Sequence, residues 1–217
     1  MEFYRHHWYY AGGIIFVALA FFMGFWGSIF SQIQVILIYS FMALLVHQFE
    51  EYACPGGFPA IFNVAMLGEK NFPERYPLNT NQCLITNVFL AYPFYIAAVI
   101  FPNLIWLGVA QILFGMLQII IHGIIINIKL KGIYNPGLAA VVFLHWPIGI
   151  YYFWFVVTHG LSSTVTFVFG FIAAVVAAII TIALPMLLLK NKESQYPFTE
   201  AEMNGFAKEK IEKIRRS

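Results

Sequence analysis

Apolar residues run through this chain in long blocks broken by short polar punctuation. The blocks exceed the length of a buried soluble helix. About 20 consecutive apolar residues suffice to cross a bilayer. Six blocks meet that length and predict helices over roughly Trp8–Phe30, Ile33–Glu51, Cys83–Phe101, Asn103–Ile128, Gly137–Val157 and Thr164–Leu189. The expected fold class is therefore all-α: a polytopic membrane bundle of six transmembrane helices. It spans residues 1–189 and is followed by a basic tail over 190–217. The first block lacks an A-x-A-like exit site and is followed by others like it, so it reads as a span rather than a cleavable signal.

Composition strengthens this reading. Hydrophobic residues make up 61% of the 217 residues and charged residues 10%, against about 25% charged in an ordinary soluble domain. With six spans both termini lie on one side. All 12 Lys and Arg then fall on that side, while the turns Gly27–Ser31, Phe101–Asn103 and Thr158–Ser163 carry no charge. Positive loops mark the cytoplasmic face, so both termini are expected there, in the cytoplasmic membrane of a prokaryote. Membrane lipids are the expected surroundings, and no nucleic-acid partner is expected. Two cysteines, Cys54 and Cys83, are too few for a disulfide framework.

The tail differs in kind. Thr199-Glu-Ala-Glu202 has the form of a capping box. Met203, Ala207, Ile211 and Ile214 follow at helical spacing among Lys and Arg. The pattern predicts an amphipathic basic helix, either on an anionic leaflet or solvated.

The second block ends unusually, in His47-Gln-Phe-Glu50-Glu51, shortly before Pro55-Gly-Gly57. Steps of three and four place both carboxylates beside the histidine on one helix. On the fourth block Gln111, Gly115, Gln118 and His122 step by four, three and four along one face. Asn127 lies about 140° around an α-helix from His122 and reads as belonging elsewhere. The fifth block enters through Tyr134-Asn-Pro-Gly137, with His145 one to two turns deeper, and Asn87 sits about one turn into the third. The blocks alternate in direction, yet these residues all land in the cytoplasmic half. Intramembrane polar groups are costly and face a bundle interior or a wet cavity. Four helices thus offer one site, with His47, Glu50 and Glu51 as candidate catalytic residues and His145, Asn87, Gln118 and Tyr134 as additional members.

With these motifs in view, the chain resembles the HXXEE family of bacterial and archaeal membrane proteins. The resemblance rests on His47-Gln-Phe-Glu50-Glu51, the further histidine His122, and the Y-x-P-G motif Tyr134–Gly137. It implies that these residues act together, and it supplies no reaction.

The chemistry of the residues favours a metal-dependent enzyme. His47, Glu51 and His122 provide three ligands and leave a place for water, as a hydrolytic site requires. Zinc is favoured over iron; a pair of irons would want more carboxylates. Glu50 is then the expected general base. His145 is a further ligand or orients substrate. A haem between His122 and His145 has nothing else in its favour. Two alternatives stand beside the metal enzyme: a metal-free His/Glu isomerase or cyclase of an unsaturated lipid, and a lipid-binding or cation or proton transport protein. In each enzyme reading the substrate is lipid-like, with an apolar tail in the deep part of the cavity and a polar head at the His/Glu cluster. Exchanging Glu50 or Glu51 singly for Gln is expected to abolish activity and leave the protein folded.

Overall fold

The computed structural model describes residues 1–216. Six helices in it are long and apolar enough to cross a membrane: α1 (Glu2–Ile29), α2 (Gln32–Tyr52), α3 (Thr80–Ile100), α4 (Ile105–Leu130), α5 (Leu138–Thr158) and α6 (Thr164–Leu189). No strand occurs among the described residues. The expected segments are all present, and most ends agree within a few residues. The largest difference is at α1, which begins ahead of the apolar run because its polar first turns find partners in the tail. Arg5 lies 4.2 Å over the ring of Tyr196, and His6 pairs with Glu202 at 2.9 Å.

Local chemistry sets several helix starts. Ser31, Asn79 and Ser163 each cap their helix in a reciprocal box with Gln34, Gln82 and Thr166. Such caps satisfy backbone N–H groups that a helix start leaves bare. Small residues let helices approach. A Cβ on Gly170 of α6 would lie 2.6 Å from Cβ of Val109 on α4, so only glycine admits that contact.

α2 is the most buried span, and the others pack around it. Leu37 of α2 joins Val109, Tyr152 and Val156 in one apolar cluster. A second cluster gathers Trp8, Tyr52, Phe58, Ile61, Leu84, Ile126 and Phe198 at the end that carries both termini. Large apolar side chains also point outward, among them Ile14, Phe21, Phe143, Trp154, Phe169 and Leu188. An outward apolar shell over a core with buried polar groups suits a protein dissolved in lipid.

Four spans depart from regular α geometry. Ile85–Ala91, Ile119–Ile126, Val141–His145 and Ile179–Ala183 form wide π-type turns in α3, α4, α5 and α6. Such turns add a residue per bulge and often accompany functional sites. Asn87, His122 and His145 all fall within them.

The connection from α2 to α3 folds back over the end of the bundle. It holds short helical segments at Phe58–Ala60 and Ile61–Met66. Buried Asn63 ties it together, donating to the carbonyls of Pro73 and Leu78 and accepting from the Leu78 N–H. The tail packs on this loop. Its expected capping box is present at Thr199 and Glu202. The single amphipathic helix is not: it divides into α7 (Glu200–Met203) and α8 (Lys208–Arg216), with extended Asn204 between. The break brings Gly205 against the backbone of Gly56 and Gly57. The apolar face of α8 is spent on protein, with Ala207 and Ile211 buried in the cluster that holds Ala60 and Val64.

Candidate metal centre

His47 and Glu51 sit one turn apart near the end of α2, and His122 reaches them from α4. All three are buried, and their ligand atoms lie within 4.8 Å of one another. Glu51 Oε1 is 3.6 Å from Nε2 of His47 and 3.3 Å from Nε2 of His122. Bonds of about 2.0–2.2 Å in a tetrahedron place neighbouring ligand atoms roughly 3.3–3.6 Å apart. The group could hold a metal ion.

The second nitrogen of each histidine decides what the first presents. Nδ1 of His47 lies 3.0 Å from the carbonyl oxygen of Gly137. A carbonyl only accepts, so the proton is on Nδ1. Nδ1 of His122 lies 2.8 Å from Oδ1 of Asn135. The amide of Asn135 is oriented by its own donations, to the carbonyl of His122 at 2.7 Å and to Oδ1 of Asn127 at 2.9 Å. Its oxygen therefore faces His122 and accepts from Nδ1. Both histidines thus turn Nε2 toward one carboxylate oxygen, and in the neutral imidazole that nitrogen is a free lone pair. Fixing the remote N–H on an oxygen acceptor is the usual support of a metal-ligating histidine.

Asn127 corrects the angular expectation. Five residues separate it from His122, and in a regular helix they would diverge. In the π-type turn residues five apart lie nearly above one another, so Asn127 supports the amide that holds His122.

Gly137 closes the site from the α5 side. Its φ is 100°, and an added Cβ would stand 2.8 Å from Nδ1 of His122 and 2.9 Å from Cε1 of His47. The last position of the Y-x-P-G motif is thus glycine for two reasons, backbone hand and space between two rings.

Glu50 points elsewhere. Its carboxylate accepts from the Tyr134 hydroxyl at 2.8 Å and from the N–H groups of Ala139 and Ala140 at 3.1 and 2.8 Å. It caps the start of α5, where bare N–H groups favour an anion. Burial, then the bond to Glu50, push the Tyr134 phenol above its ordinary pKa, so the hydroxyl remains a donor. The general-base role expected of Glu50 finds no support in this arrangement, since its oxygens are engaged and face away from the cavity beside Glu51.

His145 is buried on α5. Its ring centroid lies 5.9 Å from that of His47, and its Nε2 has no hydrogen-bond partner among the described residues. It fits because residue 115 is glycine, where a Cβ would press into the imidazole. It stands outside the three-residue group, and His122 directs Nε2 at Glu51.

A cavity of about 170 Å³ opens beside the group. His47, Glu51, His122, Asn87, Gln118, Thr86, Cys83 and Tyr52 give it a polar side. Leu44, Phe58, Phe114, Ile121, Ile182 and Met186 make the rest apolar. Asn87 accepts from Gln48 at 3.1 Å and donates to the Cys83 carbonyl, and the Tyr52 hydroxyl meets Cys83 Sγ at 3.3 Å. Phe58, Phe62 and Leu78 come from the α2–α3 loop, and Phe58 stacks on His122 at 5.5 Å. Sequence reasoning passed over Asn135, Gln48 and Phe58. Asn135 had a signal, being an amide inside a motif, whereas Phe58 had none among so many phenylalanines.

Residues 38–152, more than half of the chain, match the model of the family described as "Protein of unknown function with HXXEE motif". The chain belongs to this HXXEE family. No curated protein and no solved structure matches it. The HXXEE match runs from α2 into α5 and contains each residue of the centre and its supports: His47, Glu50, Glu51, His122, Asn127, Tyr134, Asn135 and Gly137.

Proposed function

We propose that this HXXEE protein is a membrane-embedded, metal-dependent enzyme acting on a lipid-like substrate at the cytoplasmic leaflet, with hydrolysis the favoured chemistry. One observation carries the reading. Nε2 of two imidazoles and a carboxylate oxygen meet in a buried place, and with both histidines neutral all three atoms are acceptors. Three acceptors facing one another repel unless a cation joins them. One proton can bridge only one pair, and N···O distances of 3.3 and 3.6 Å are long for such bridges. A divalent ion serves all three, which favours the metal over the metal-free isomerase. The donor set of two nitrogens and one oxygen suits zinc.

His47, Glu51 and His122 would hold the ion. A bound zinc would supply Lewis acidity and lower the pKa of a bound water to about 7. The protein does the rest. Gly137 and Asn135 hold the imidazoles in the ligating tautomer. Glu51 is the one acidic residue lining the cavity. Its second oxygen would be the acceptor for a proton. Thr86, Asn87 and Gln118 offer hydrogen bonds to a polar head, and Phe58 shields the centre from water. The apolar walls between α3, α4 and α6 suit an alkyl or isoprenoid chain.

The cytoplasmic placement rests on charge. The basic residues gather at the end that holds the termini and the centre, as the positive-inside rule requires.

The test is turnover. Purified protein in mild detergent, stripped with chelator and reloaded with zinc, is incubated with lipid esters and amides, and products are read by mass spectrometry. The reading predicts cleavage only after reloading and none in Glu51→Gln. Equal turnover by stripped protein would remove the metal from the mechanism.

A further inference from the structure

The tail packs on the elements that support the centre, and two of its residues connect to the two histidines through chains of contacts. Gly205 lies on the turn that leaves α2. A Cβ on Gly57 would be 2.8 Å from Cα of Gly205, and one on Gly205 would be 2.6 Å from Cα of Gly57. Gly57 has φ 88° and launches Phe58, whose ring stacks on His122. The neighbouring Phe206 meets Tyr134 edge to face, ring centroids 4.9 Å apart at 88°. Tyr134 donates to Glu50, Glu50 caps α5, and the Gly137 carbonyl at that cap holds His47. Each path is short, and each ends on a different histidine.

These residues could not do this on a loose tail. Ile211 and Ala207 are buried among loop residues, Phe198 donates its N–H to the Glu74 carbonyl, and Tyr196 accepts from Thr80 at the start of α3. The anchors fix the stretch that carries Gly205 and Phe206 from both sides.

We propose that Gly205 and Phe206 are positioning residues that set His47 and His122 for metal binding, so that metal affinity depends on the docked tail. The proposal rests on the metal reading of the centre. Groups bonded directly to a ligand typically govern 10–100-fold in metal affinity; Gly205 and Phe206 act through further contacts, so a smaller effect is expected of them.

The experiment uses the full chain in detergent, stripped of metal and titrated with cobalt(II), followed by its visible spectrum. The variants are Gly205→Ala, Phe206→Ala, Phe206→Tyr and exposed Lys213→Ala as control. Circular dichroism and size-exclusion elution confirm that each is folded. Wild type and Lys213→Ala are expected to share one affinity and one spectrum. Gly205→Ala and Phe206→Ala should bind about 3-fold or more weakly with an altered band, and Phe206→Tyr should recover most of the affinity. If wild type takes up no cobalt, the metal reading fails and the clamp with it. If wild type binds and folded Phe206→Ala matches it within twofold with the same spectrum, the clamp alone is overturned. Should Gly205→Ala not fold, the Phe206 pair decides by the same criteria.

Discussion

At the scale of residues, the two adjacent glutamates have separate tasks. Glu51 shares its oxygen with two imidazoles, and Glu50 satisfies three donors at the start of α5. Glu51→Gln should therefore keep the fold and lose metal. Glu50→Gln sets an amide N–H₂ against a donor and removes a buried charge-assisted bond, worth about 1.5–3 kcal/mol. It should lower thermal stability by that amount and weaken metal only indirectly. Melting curves beside metal content check both, and the reverse pattern would contradict the assignment. The motif spacing put His47 beside both glutamates in the sequence. It could not say which carboxylate turned inward, because that depends on where α5 begins. Gly137→Ala should be the most damaging single methyl here. It would press on both histidine rings at a left-handed position, so metal binding should fall by 10-fold or more; affinity within twofold of wild type would refute the close packing.

At the scale of elements, the sequence displayed the six spans and concealed their bulges. Apolar runs report length and burial, and neither distinguishes an α turn from a π turn. That is why Asn127 looked misdirected, although it supports the Asn135 amide. The loop from α2 to α3 was legible only as long enough to form a cover. Its Phe58 stacks on His122 and, with Phe62 and Leu78, lines the cavity. Phe58→Ala should destabilise the protein by about 3–5 kcal/mol and let water reach His122, seen as faster metal exchange with chelator. Unchanged exchange would mean that the loop does not shield the centre. The same loop carries a weak acid response. Burial opposes ionisation of Glu69, but N–H groups of Phe72 and Asn71 and nearby Lys192 together hold its pKa below the ordinary 4.5. A depressed folded pKa stabilises above the unfolded value and loses that support as pH falls through the folded one. Protection of residues 69–76 against hydrogen exchange, taken relative to the intrinsic rate at each pH, should therefore fall below about pH 4.5 in wild type and be already low in Glu69→Gln.

At the scale of the molecule, composition made the class legible: few charges, long apolar blocks and one basic side. The tail was legible as amphipathic but not as docked, since periodicity shows a face and not what covers it. The proposed orientation rests on charge and has a simple check. Cys54 is exposed at the end with the termini, and Cys83 is buried. A membrane-impermeant maleimide should label Cys54 in inverted vesicles and spare it in intact cells; the opposite would reverse the topology and move the centre to the outer leaflet. The central claim is that three acceptors on two helices share one ion. The most direct measurement is the metal content of protein purified in mild detergent without chelator, wild type beside His47→Ala and His122→Ala. The account predicts near-stoichiometric zinc in wild type, lost in both variants while each stays folded. No metal in wild type, with none taken up on titration, would contradict it.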